Sequence, residues 1–105
     1  MVKLQVFYGH PTDPAAFEAY YRDPHTPIAL KVRGLRRFEI NKVIGAPGGG
    51  QPAYYRTADL YFDDMDALTK ALSSPEGQAA AADIANFATG GVTLVVADVQ
   101  DLLSK

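Results

Sequence analysis

Val2, Leu4, Val6 and Tyr8 alternate with Lys3, Gln5 and Phe7 at the start of the chain. A period of two puts each set on its own face, so this stretch predicts a strand. Gly9 to Thr12 supply an exit loop, and Asp13 is placed to cap a helix beginning at Pro14. Phe17 and Tyr21 fall four apart and share a face of that helix. Asp23 and Pro24 then disfavour its continuation, because proline has no N–H to donate to the preceding turn. Thr26 and Pro27 read as a new N-cap and first helical residue, opening a second segment that runs to about Val32 and stops at Gly34. His25 is thereby expected at a helix start, beside free backbone N–H groups.

Alternation returns from Leu35 to Val43, and again from Tyr54 to Phe62, on either side of a Gly- and Pro-rich connection. Asp63 and Asp64 begin a helix with Leu68 and Leu72 four apart. Ser74, Pro75 and Glu76 make a second cap, and the helix that follows carries an apolar stripe of Ala80, Ile84 and Phe87. Gly90 and Gly91 end it, and Val92 to Val99 is a strongly apolar last strand with a short tail behind it. The order is β-α-β-β-α-β, which predicts an α+β fold of the ferredoxin-like kind, an antiparallel four-stranded sheet with helices on one face. No repeat or linker divides the chain, so residues 1–105 read as one domain.

The faces are unequal. Val2, Leu4, Val6, Phe38, Ile40, Ala58, Leu60 and Phe62 are expected under the helices. Gln5, Phe7, Arg37, Glu39, Asn41, Tyr55, Thr57, Asp59 and Tyr61 are expected on the other side, a mixture of rings and charges that a two-fold partner would cover. A homodimer with its two sheets face to face follows as an expectation. A chain of 105 residues supports it, since it buries only about 60–70% of its unfolded surface by itself.

Composition narrows the partners. A net charge of −2 speaks against nucleic acid, which selects a basic stripe. No apolar run approaches the roughly 20 residues of a membrane helix. The chain has no cysteine, which rules out disulfides and thiolate metal sites and fits a reducing compartment. Together with an N-terminus that enters a strand directly, this leads to the expectation of a cytoplasmic protein.

Several motifs resemble the EthD family of small bacterial proteins. They are Phe17-x-x-Tyr20-Tyr21, His25-Thr26-Pro27-Ile28-Ala29, Gly34-Leu35-Arg36-Arg37-Phe38-Glu39, Tyr54-Tyr55-Arg56, Ser74-Pro75-Glu76-Gly77-Gln78-Ala79 and Asn86-Phe87-Ala88-Thr89-Gly90-Gly91-Val92. The match covers nearly the whole chain in order. Arg33 stands where many relatives are expected to have proline, a difference confined to a turn. The resemblance implies a dimeric α/β-barrel. Related folds hold cofactor-independent monooxygenases, haem-degrading enzymes, dehydratases and isomerases. The founding member is associated with degradation of ethyl tert-butyl ether beside a cytochrome P450 system, and members are often labelled reductases without a defined cofactor site.

His25 is the candidate acid or base, and Tyr21 the candidate phenol donor. Phe17, Tyr20, Leu60, Phe62 and Phe87 are candidates for the wall of a pocket that holds a small hydrophobic organic molecule. Each aromatic is equally explained as core. Asp59, in the middle of a strand, is expected to pair with Arg37 or Arg56. His10 reads as a solvated loop histidine. The expected metal set is none, because two widely spaced histidines do not make a zinc site and Asp63-Asp64-x-Asp66 lacks the glycine and distal glutamate of a calcium loop. The triple glycine at Gly48 to Gly50 leads into a strand and not into a helix, which argues against a bound nicotinamide. Three functions remain: an oxygenase, dehydratase or isomerase without a tightly held organic cofactor; a non-catalytic dimer that binds a metabolite or supports a degradation pathway; and a haem protein with His25 as axial ligand.

Overall fold

The computed structural model describes residues 1–103, so the end of the expected tail lies outside the described residues. The elements run β1 (Val2–Tyr8), α1 (Pro14–Tyr20), a π-helical turn (Tyr21–His25), α2 (Thr26–Ala29), β2 (Arg37–Lys42), β3 (Arg56–Phe62), α3 (Met65–Ser73), α4 (Pro75–Ile84) and β4 (Val92–Asp98). All four strands join one antiparallel sheet in the order β2-β3-β1-β4. The architecture is α+β, as the alternation pattern predicts.

The helices start where side chains can replace missing backbone partners. Asp13 accepts from the Ala16 N–H, Asp64 from Ala67 and Ser74 from Gly77. The helices bury one face of the sheet over a core containing Leu4, Val6, Tyr8, Ala58, Leu60 and Phe62. Register sets that face, because Leu4 lies opposite Leu60 and Val6 opposite Ala58. Ile40 lies on the same side of edge strand β2 but remains 44% exposed, at the margin of the helix layer beside Arg22 and Thr26. β4 is the other edge. Val92, Leu94, Val95 and Val96 on it are all exposed.

The second face carries Lys3, Gln5, Asn41 and Asp59 in one polar cluster and Arg37, Glu39 and Tyr61 in another. Two sequence expectations are corrected there. Asp59 pairs with Lys3 at 3.4 Å and not with an arginine, because Arg37 is held by Glu39 and Arg56 by Glu18. Tyr55 does not belong to this face. It precedes β3 and packs edge-on against Phe17, with ring centres 5.2 Å apart. Among the described residues, no helix is long and apolar enough to cross a membrane.

α3 and α4 meet at a tight corner. A Cβ on Gly77 would collide with the Ala71 carbonyl, which is backbone and has little room to move. Gly77→Ala is expected to destabilise the protein by about 1–3 kcal/mol, the usual cost of overpacking. Urea unfolding measures it, and a wild-type midpoint would show that the corner is looser than described.

Candidate functional site

The helix that begins at Pro14 widens at Pro24 and does not break there. Proline cannot bond to the carbonyl four residues back, and its ring crowds that carbonyl. A π turn gives the ring room. The Thr26 N–H reaches back five residues to the Tyr21 carbonyl, and the Thr26 hydroxyl donates to the same oxygen at 2.7 Å. Thr26 has helical dihedrals (φ −57°, ψ −44°), so it is not an N-cap. The expectation of His25 at a helix start is therefore overturned, along with the free N–H groups it implied. α2 also ends earlier than predicted, at Ala29.

A carboxylate stands where that helix end was expected to act. Asp83, on α4, lies 2.9 Å from the Nδ1 of His25, and both residues are buried. The other carboxylate oxygen accepts from the Tyr20 hydroxyl at 2.7 Å and from the Asn86 amide at 2.9 Å. Burial works against the charged form of Asp83. The donated hydrogen bonds of Tyr20, Asn86 and His25 outweigh it and hold the carboxyl below the usual carboxylate range. Ionised Asp83 has no proton to give, so Nδ1 carries the hydrogen of this bond and Nε2 is left outside it.

Tyr21 stacks on His25, with ring centres 5.7 Å apart and planes 14° from parallel. Burial pushes its phenol up to about 12, against the pull of the Arg56 guanidinium, which sits 5.3 Å from its ring centre. Tyr21 is thus a donor at neutral pH. Burial, reinforced by the Tyr21 phenol, pushes Tyr8 still higher. Glu18 holds Arg56 through two bonds, at 2.8 and 2.5 Å.

His25, Tyr21 and Tyr8 line one cavity of about 70 Å³ between the helices and the sheet. Leu60 and Phe62 line it as well. Phe17, Tyr20 and Phe87 stand behind it, where Phe87 packs on His25 at 4.7 Å and Tyr20 stacks on Phe87 at 5.5 Å. These three also border a separate shallow surface pocket near Thr12 and Asn86. His10 bonds the Pro52 carbonyl at an exposed position, apart from the site. A haem does not fit here. The cavity is far smaller than a tetrapyrrole, and it has no lysine or arginine lining to meet propionates.

The EthD domain model matches residues 9–91. This chain belongs to the EthD family. It is 41% identical over 103 residues, 98% of its length and 99% of the other's, to an uncharacterised 11.0 kDa protein of the thcB-thcC intergenic region in Rhodococcus erythropolis. A solved EthD family protein from Bacillus halodurans has 33% identity and a TM-score of 0.90, over 95% of this chain and 99% of that one. Two more distant structures share the fold. One is SnoaB of Streptomyces nogalater, described as a cofactor-independent oxygenase (16% identity, TM-score 0.67, 99% of this chain and 96% of that one). The other is a dimeric ferredoxin-like protein of Bacteroides fragilis (17% identity, TM-score 0.65, 93% and 95%).

Asp83 is the member of this EthD site that motif reading passes over. A signal was present: Asp83 lies three residues after Ala80 and four before Phe87, on the apolar stripe of its helix. An acid on that stripe must find partners inside. Tyr8 and the Glu18–Arg56 pair were likewise not singled out as site residues.

The Asp83 carboxyl is held below its ordinary value of 3.8, so its contribution to stability is present above that pH and is lost as pH falls through the lower folded-state value. Asp83→Asn is expected to cost about 1–3 kcal/mol at neutral pH, because three donors lose a charged acceptor. It should also show a shallower loss of stability on acidification. Urea midpoints from neutral to about pH 2 check both expectations, and an unchanged acid limb would contradict them.

Proposed function

We propose that this protein binds a small hydrophobic organic molecule between its helices and its sheet. It acts on that molecule as an enzyme without a tightly held organic cofactor, with His25 as acid or base and Tyr21 as the orienting donor. The observation that carries this reading is an imidazole lining an apolar cavity while its Nδ1 is tied to a buried, ionised carboxylate. That pairing fixes the tautomer, leaves Nε2 able to accept a proton, and stabilises the imidazolium that forms. Cofactor-independent oxygenation of an enol or phenol, dehydration beside a carbonyl and enol isomerisation can each start from such a proton transfer. The likeness to SnoaB supports the cofactor-independent class.

The working unit in this proposal is a homodimer. The sheet face away from the helices carries Phe7 tilted against Tyr54 with ring centres 5.0 Å apart, exposed Val95, and charges already paired within the chain. Two such faces can meet without stranding an ion. Similar folds described as dimeric support this. Sedimentation at micromolar concentration is expected to give twice 11.3 kDa, and Val95→Asp is expected to shift the particle towards the single-chain mass. A wild-type monomer would remove the dimer from the proposal.

The catalytic reading is tested by incubating the purified protein with a panel of small ketones, enols and phenols and following their consumption by mass spectrometry. Turnover of at least one compound is expected, and His25→Gln should slow it by roughly 10²–10⁴-fold, the usual range for a positioned acid or base. Full activity in the variant would remove His25 from the mechanism. Saturable binding without turnover would favour the non-catalytic accessory dimer.

A further inference from the structure

The cavity has a polar end and an apolar remainder. Tyr8, Tyr21 and His25 gather where β1 finishes, and Tyr8 lies opposite Arg56 in the sheet. Leu4, Phe62 and Leu72 line the part that follows β1 back towards its start. Four residues of strand separate Tyr8 from Leu4, a span of roughly 13 Å. Exposed Leu72 and Leu94 border the cavity, and Leu94 belongs to edge strand β4. A guest in this cavity of about 70 Å³ would meet polar groups at one end and apolar side chains over the remainder.

Charge restricts the head further. Asp83 is ionised and 2.9 Å behind the imidazole. The lining includes no lysine or arginine, and the nearby guanidinium of Arg56 is already held by both oxygens of Glu18. A carboxylate, phosphate or sulfonate head would stand near an anion without a counter-ion, in surroundings that penalise charge. A neutral oxygen has partners: the Tyr21 phenol can donate, and Nε2 can accept.

We infer that the site takes a neutral molecule whose single polar head is a weakly acidic hydroxyl or an enolisable carbonyl, and that it excludes organic acids and phosphorylated compounds. This deepens the proposed function and rests on it. The proton leaves the O–H, or the C–H beside the carbonyl, for Nε2. The electron pair stays on the guest, and the oxygen that gains negative charge accepts from the Tyr21 phenol. The pair ends as an imidazolium beside a carboxylate, so charge is conserved within the site.

Three probes share a ring and a methyl group and differ only in the head: 4-methylphenol, toluene and 4-methylbenzoate. Calorimetric titration at neutral pH, with two-dimensional amide NMR to locate binding, compares them. 4-Methylphenol is expected to bind at least tenfold more tightly than either of the others, with shifts around His25 and Tyr21. Tyr21→Phe is expected to bring its affinity down towards that of toluene. Equal binding of toluene and 4-methylphenol would overturn the assigned head and leave the apolar pocket standing. Binding of 4-methylbenzoate as tight as that of 4-methylphenol would overturn the exclusion of anions. If none of the three binds to protein with a native spectrum, the pocket reading falls together with this inference.

Discussion

The Asp83 carboxylate joins three stretches that local sequence would leave independent. It takes a hydrogen bond from the end of α1 through Tyr20, one from the π turn through His25, and one from the residues after α4 through Asn86. A buried anion is costly, and only a full set of donors offsets the cost. Asp83 satisfies that condition, with Asn86 also donating to the Tyr20 hydroxyl at 3.2 Å. The carboxylate therefore ties α4 to the long helix and decides which nitrogen of His25 carries the hydrogen.

The π turn delivers His25 to that carboxylate. Its cause is Pro24, and the Thr26 hydroxyl adds a second hydrogen bond to the Tyr21 carbonyl that the Thr26 N–H already reaches. Tyr21 enters the turn stacked on His25, so the phenol and the imidazole reach the cavity as neighbours. The Glu18–Arg56 pair, with Arg56 over the Tyr21 ring, flanks the same region. The two sheet faces divide the work: one is apolar under the helices, and the other carries paired charges and rings in the open.

Much of the fold was legible because it is written in local chemistry. Strict alternation placed β1 at Val2 to Tyr8, and Asp13, Asp64 and Ser74 cap the helices as their types suggest. Pro24 was misread because a helix stop and a π turn share one local signature. What separates them is whether the next segment keeps its direction, and packing decides that. Tyr55 was misassigned because alternation was extended one residue beyond the start of β3, which reversed its side. His25 and Tyr21 were legible as candidates from their spacing. Asp83 left one local sign, an acid on an apolar stripe, but its partner His25 is 58 residues away and nothing nearby in the sequence names it.

A π turn spends one more residue than an α turn to cover nearly the same length. Everything beyond it is rotated by about 100° relative to an uninterrupted helix. Ala29, buried at 3% exposure, and Val32 owe their inward orientation to that single additional residue. Losing one residue from the Tyr21–His25 stretch would swing them away from the sheet, even though every remaining side chain was chemically unchanged. Spacing here carries information that identity alone does not, and a relative with the same residues one position shorter would have a differently shaped interior.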